Sequence, residues 1–252
     1  PTQNHRYGDL RLRPALELFS RISTDDPALV HDIGTGGGEI ARLATTRWPA
    51  ARVIGSDSSV EMLNKARAEP STVEWTWLDI SEWRPDPEHD VIYSNAVLHW
   101  LPHHEELFPR LVAGLADGGQ LAVQMPMSWW QPSHRSIRAS LRELDTAEGD
   151  ALADAMDEPN VNPPSFYWDT IRPHVTALDI WETTYHQVLS GTDPVFQWVS
   201  GSILRPVFAK LPEDQLERFS TICREKLLSD YPLRPDSTTL FPFHRLFIVA
   251  TK

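Results

Sequence analysis

The sequence predicts an α/β protein: a doubly wound, mostly parallel sheet covered by helices on both faces. Three observations predict it. Short apolar runs alternate with amphipathic segments of helical length through the first half of the chain. A glycine cluster, Gly34 to Gly38, follows the first apolar run and precedes the first helical segment. Carboxylates close three successive runs, at Asp32, Asp57 and Asp79.

Each element has its own signal. Residues 29–33 (LVHDI) form a first strand ending at Gly34, and 36–48 read as a helix with Ile40, Leu43, Ala44 and Trp48 on one face. Residues 51–57 are a second strand. Residues 58–68 are a second helix, with Val60, Leu63 and Arg67 spaced by turns and Ser58 or Ser59 as N-cap. Residues 72–79 alternate with period two, a third strand, and 90–95 are a fourth. Residues 102–115 are helical, Asp117-Gly118-Gly119 is a turn, and 120–125 are a fifth strand. From 143 to 171 there is no Lys or Arg but there are eight acids, broken by Pro159, Pro163 and Pro164. That stretch reads first as a solvated helix followed by a loop, and second as a lid closing over a ligand. Residues 178–189 are a sixth strand, and Asp193-Pro194 starts a helix, with Asp as N-cap. Residues 212–230 are another helix, with Leu216, Phe219, Cys223 and Leu227 on its inner stripe, and 245–251 are a seventh strand. One domain is expected, with a core over about 25–126, 175–190 and 241–252. Helical insertions over about 127–174 and 191–240 form its substrate cap.

Composition removes several classes of function. The 252 residues carry 23 Lys plus Arg against 35 Asp plus Glu, a net charge of −12, which opposes a grip on nucleic-acid phosphates. No run of about 18 apolar residues is present to cross a membrane. The start, PTQNHRYGDL, does not read as a secretory signal. The one cysteine, Cys223, forms no intrachain disulfide and no cysteine zinc site; it reads as a core residue in a cytoplasmic protein. No protein partner is implied. Ten tryptophans must be buried or line a pocket.

The most informative segment is Asp32-Ile33-Gly34-Thr35-Gly36-Gly37-Gly38-Glu39. In an open α/β sheet, ligands bind at the carboxyl ends of strands where the strand order reverses. Gly34 and Gly36 let a ligand approach bare backbone. The dinucleotide pattern needs a third glycine where this chain has Glu39, and a carboxylate there repels a pyrophosphate. The turn therefore favours a nucleoside without phosphates over a nicotinamide dinucleotide. Asp57 can accept both hydroxyl hydrogens of a ribose. Asp79 can accept from an adenine amine while Ile80 packs on the ring.

With these residues in place, the segments HDIGTGGGE, GSDSSVEML, WLDI and YSNAVLHWL resemble the class I S-adenosylmethionine-dependent methyltransferases. The resemblance implies a Rossmann-like seven-stranded sheet with a last antiparallel strand, and S-adenosylmethionine as cofactor with S-adenosylhomocysteine as product. It adds Tyr7, Ser58, Met62, Asn95 and Leu98 to the cofactor residues, with Tyr7, Arg11 and Arg13 as a flap. Glu39 stands where that class commonly has Asn. The segments RPALELF, RWPAARVIGSDSS, NAVLHWLPHHEELFPRL, LAVQMP, DIWETTYHQ and FHRLFIVA are similar to a branch of the class that esterifies trans-aconitate. This implies a small polycarboxylate acceptor. The alternatives are another small-molecule acceptor, or a cofactor-binding regulator without turnover.

A carboxylate acceptor has a reference pKa near 4 and is ionised at neutral pH, so no acid or base catalyst is required. Trp100 and His99 are expected to position the methyl site, with core packing as the plain reading of each. Arg205 is the candidate cation for an acceptor carboxylate, against a surface role. Trp129, Trp130 and Tyr185 are candidate substrate walls, against ordinary packing. His31 reads as a packed residue. The run His103-His104-Glu105-Glu106 reads as a solvated helix start and not a metal site, because adjacent helical side chains diverge. No metal is expected.

Overall fold

The computed structural model describes residues 8–157 and 159–252, with side chains from residue 12 onward. Its sheet has seven strands: β1 (Leu29–Ile33), β2 (Arg52–Asp57), β3 (Glu74–Trp77), β4 (His89–Asn95), β5 (Leu115–Pro126), β6 (Ala177–Ser190) and β7 (Thr238–Thr251). The strand order is β3-β2-β1-β4-β5-β7-β6. The first five strands pair in parallel, and β7 runs antiparallel to β5. All five residues of β1 are buried, as a central parallel strand requires. From β1 the chain winds outward to β3, then crosses back to β4. The order reverses between β1 and β4, which opens a crevice at their carboxyl ends.

Helices α1 (Gly8–Ser20), α2 (Glu39–Arg47), α3 (Val60–Arg67) and α4 (His104–Ala113) accompany the sheet. Helix α1 turns Ala15, Leu18 and Phe19 inward, and the Tyr93 hydroxyl on β4 donates to the Ala15 carbonyl at 2.9 Å. Helix α3 starts as its sequence suggests: Ser59 is the N-cap and accepts from the Met62 amide.

Several elements depart from the sequence expectation, each for a local reason. Helix α2 begins at Glu39 and not at 36, because Gly36 and Gly38 have φ of 56° and 83°. Strand β3 stops at Trp77, so Asp79 lies beyond it, where its carboxylate accepts from the Ser81 amide and hydroxyl. Strand β5 starts at Leu115 and absorbs the 117–119 turn through a register shift opposite His89 and Val91. The acidic stretch contains two helices, α6 (Ala147–Asp154) and α7 (Pro164–Ile171). His104 is buried, not solvated: its Nδ1 lies 2.7 Å from the Tyr167 hydroxyl and its Nε2 lies 3.0 Å from the Leu98 carbonyl. His103, Glu105 and Glu106 face water, with His103 beside Glu105.

The chain divides into two compact units. One comprises residues 11–126, 160–183 and 245–252 and holds most of the sheet. Residues 160–174, expected as the end of a cap insertion, fall in this unit, and α7 there packs on α4. There the Tyr167 ring lies 4.9 Å from Phe108. Among the described residues, the other unit comprises 8–10, 127–157, 159 and 184–244. It contains α5 (Pro132–Arg142), α6, α8 (Pro194–Ser200), α9 (Arg205–Lys210) and α10 (Glu213–Asp230). On α10 the inner stripe is Phe219, Cys223 and Leu227, with Leu216 half-buried. Burial pushes the Cys223 thiol up to about 12, consistent with an inert core residue. Asp193 stands at the N-cap position of α8 but makes no side-chain cap. It accepts instead from Gln197 and Arg224.

Candidate functional site

The glycine turn after β1 is set by what surrounds it. The Gly34 and Thr35 amides both donate to the Ser56 carbonyl of β2, at 2.7 and 2.8 Å. Gly34 has φ of 75°, and a Cβ there would stand 2.3 Å from the Val97 side chain beyond β4. Both the positive φ and the close approach of Val97 make any other residue costly here. At Gly36, with φ of 56°, nothing lies within 4 Å of where a Cβ would stand, so its backbone faces open space.

The carboxylates around this turn have distinct environments. Asp32 is 4% exposed. Burial pushes its carboxyl from 3.8 up to about 7, opposed by hydrogen bonds from the Thr35 hydroxyl (2.6 Å) and the Ala41 backbone and assisted by Glu39 and Asp57. Asp57 ends β2, where one oxygen accepts the Gly36 amide at 2.9 Å and the other the Ser59 amide at 2.8 Å. Each oxygen keeps a lone pair for a further donor. These bonds fix the carboxylate in plane and tie the glycine turn to the start of α3. The Ser81 hydroxyl and amide hold the Asp79 carboxyl below its usual range. Ile80 beside it is buried, and its carbonyl accepts from Arg110.

Across the sheet, Asp32 is in register with Tyr93 on β4, and Asn95 is in register with Gln124 on β5. Asn95 is half-buried, and its Oδ1 is buried without a hydrogen-bond partner among the described residues. Leu98 is fully buried, so it supports the loop after β4 without offering surface. His99 is half-buried, and its carbonyl accepts from Asn160. Trp100 is 57% exposed, which removes the core-packing reading for this side chain. Ser58 is exposed and Met62 half-buried at the start of α3; the Ser58 carbonyl accepts from the Trp77 indole. Tyr7 and the Arg11 side chain lie outside the described residues.

The expected acceptor residues fall in the other unit. Trp129 is half-buried, its indole donates to the Asp157 carbonyl, and the Arg138 guanidinium lies 5.3 Å from its ring. Trp130 is 66% exposed. Arg205 opens α9 and is exposed, while Tyr185 is buried on β6.

The sequence reading missed Thr35, which holds Asp32, and Val97, which closes on Gly34. It also missed Gln124 and Arg245, buried polar residues inside the apolar runs LAVQMP and FHRLFIVA. A polar residue interrupting a strand pattern was the available signal. His31 is packed as expected: its Nε2 lies 2.9 Å from the Ser56 hydroxyl and its ring stacks on His89. Burial, followed by His89 and Arg52, pushes its pKa down to about 3.

A doubly wound sheet with a glycine turn, a buried Asp32 and half-buried Asp57 and Asp79 near its switch point defines a Rossmann-like class. Comparison with known proteins narrows it. A family model described as a methyltransferase domain matches residues 4–158, and the chain belongs to that family. It is similar over nearly its whole length to proteins named trans-aconitate 2-methyltransferase. It is 40% identical to that of Azoarcus sp. (strain BH72), covering 98% of this chain and 96% of the relative. It is 41% identical to that of Klebsiella pneumoniae (strain 342), covering 96% and 93%. Among solved structures, YcgJ from Bacillus subtilis shares the fold with a TM-score of 0.60 at 15% identity, covering 94% of this chain and 97% of that one. Haemonchus contortus phosphoethanolamine N-methyltransferase 2, solved with S-adenosyl-L-methionine, gives a TM-score of 0.55 at 15% identity. The match covers 94% of this chain and 52% of that one.

Proposed function

We propose that the protein is an S-adenosylmethionine-dependent carboxyl O-methyltransferase that forms a monomethyl ester of trans-aconitate. The observation that carries the reading is similarity at about 40% identity along nearly the whole chain to enzymes bearing that name, and not along the sheet domain alone. A chain with one buried cysteine fits the reducing cytoplasm.

The crevice residues fit the cofactor. Gly36 leaves open space against its backbone, Asp57 keeps lone pairs for two ribose hydroxyls, and Asn95 holds a buried acceptor atom without a partner among the described residues. Asp32 is a buried carboxylate suited to a cationic neighbour such as the methionine ammonium. Asp79 and Ile80 would serve the adenine, one as acceptor and one as apolar wall. Met62, Ser58 and Leu98 support these groups, and Tyr7 belongs to the same proposed set.

When bound, the cofactor supplies a methyl group on a positive sulfonium, and the electron pair of the breaking carbon–sulfur bond stays on sulfur. The acceptor carboxylate needs no proton removed, so the chain's task is alignment and exclusion of water. The loop after β4, with half-buried His99 and exposed Trp100, is where this chain would position the reacting carboxylate. Arg205, Trp129, Trp130 and Tyr185 are retained as candidate acceptor contacts. The test is formation of S-adenosylhomocysteine by the pure protein given S-adenosylmethionine and trans-aconitate. Release above a blank without acceptor is expected. Release with a phenol or a different acid, and none with trans-aconitate, would replace the substrate.

A further inference from the structure

We propose that Gln124 and Arg245 form a subsite for one of the acceptor's unreacting carboxylates, at the carboxyl end of β5. This deepens the function proposed above and rests on its choice of a small polycarboxylate.

Gln124 is 1% exposed, and among the described residues neither its amide nitrogen nor its amide oxygen has a hydrogen-bond partner. Leaving both ends of a buried amide unmatched is expensive, and a leucine of similar volume would fill the same space without that cost. Such a group in the centre of a sheet points to a ligand that completes it. An anion can accept from its amide nitrogen. Asn95, directly across on β4, carries a buried oxygen that is unmatched among the described residues, an acceptor suited to the cofactor side and not to the anion. Arg245 on β7 pairs with Pro126, two residues beyond Gln124, so Gln124 and Arg245 point to the same face of the sheet. Among the described residues, Arg245 is the one Lys or Arg in the buried class, at 8% exposed. A guanidinium has five donors, so other contacts of Arg245 leave room for a carboxylate held through two parallel bonds.

The row has a direction. Tyr93 is in register with Asp32, and Asn95 follows it on the same face of β4. Neighbouring strands lie about 4.8 Å apart. The half-buried Asn95, at the expected methyl-donor end, thus leads to Gln124 one strand further, and to Arg245 a strand beyond that and two residues along. In a protein of net charge −12, a local cation is what lets a polyanion bind. Arg205, the cation expected from the sequence, is exposed on α9.

The experiment compares wild type with Gln124→Leu and Arg245→Met. Calorimetry measures the binding of tricarballylate, an unreactive tricarboxylate, and separately of S-adenosylhomocysteine, while urea unfolding measures stability. With trans-aconitate, KM and kcat are read apart. Gln124→Leu is expected to be at least as stable as wild type, yet to weaken tricarballylate and raise acceptor KM about tenfold. S-adenosylhomocysteine affinity should stay within about twofold. Arg245→Met should do the same to the anion, and Arg245→Lys should recover part of it. Unchanged anion affinity in Gln124→Leu, or no anion binding by wild type, overturns the subsite. Tricarballylate binding that is lost in the variants, alongside no turnover of trans-aconitate, supports the subsite and rejects the proposed reaction.

Discussion

Asp32 offers a prediction in which stability and binding move in opposite directions. Its carboxyl titrates at about 7 in the fold against 3.8 in the free side chain, because burial penalises the charge. The shift is roughly three units, and at 1.36 kcal/mol per unit it amounts to about 4 kcal/mol. The sign follows from proton counting. Between about pH 4 and 7 the folded state holds a proton that the unfolded chain has released, so this group lowers stability as pH rises through that window. Above about 7 the cost is fully present. Asp32→Asn removes the charge and keeps an oxygen to accept from the Thr35 hydroxyl. Urea unfolding of the ligand-free protein should show the variant more stable by about 2–4 kcal/mol at pH 8, and by less than about 1 kcal/mol at pH 4.5. Calorimetry at pH 8 should show it binding S-adenosylhomocysteine more weakly, because the ammonium loses its counter-charge. An equal gain at both pH values would refute the titration argument. A loss of stability at pH 8 would show that the charge is already well solvated.

Three further outcomes follow from the same geometry. Asp57→Ala should weaken S-adenosylhomocysteine binding by about 1–3 kcal/mol through lost hydrogen bonds to the ribose, measured by calorimetry. Gly34→Ala places a methyl 2.3 Å from Val97 at a positive φ and should cost more than about 2 kcal/mol in urea unfolding. The double variant with Val97→Ala should recover the steric part of that loss and not the backbone part. His31 stays neutral in the fold down to about 3 while the unfolded chain takes up its proton near 6.5, so its contribution to stability is lost as pH falls through that range. His31→Gln should flatten the acid limb of the wild-type stability curve between pH 7 and pH 4.5.

The alternation of strands and helices was legible because each buried strand reads as a short apolar run and each helix carries an apolar stripe. The crevice was legible for a related reason. Gly34 and Asp57 are residue types that a parallel sheet does not otherwise need at its strand ends, and Asp79 stands two residues beyond β3. The rest depended on pairing. Nothing local to HHEE distinguishes His104 from His103; it is Tyr167, more than sixty residues away, that gives His104 a buried partner. Strand β3 looked longer because period two continues to Asp79, but the strand ends at Trp77 and a side-chain turn at Ser81 takes over. Arg205 looked functional from its segment, whereas Gln124 and Arg245 looked like interruptions in apolar runs. Only register reveals that those two interruptions share a face.

The central claim is transfer of a methyl group to a carboxylate, and isotope tracing tests it directly. The protein is incubated with trans-aconitate and S-adenosylmethionine deuterated in its methyl group, and the acid product is analysed by mass spectrometry. The account predicts one deuterated methyl per product molecule, attached as an ester and released by mild base. Unlabelled acid recovered intact, with no S-adenosylhomocysteine formed, would contradict it.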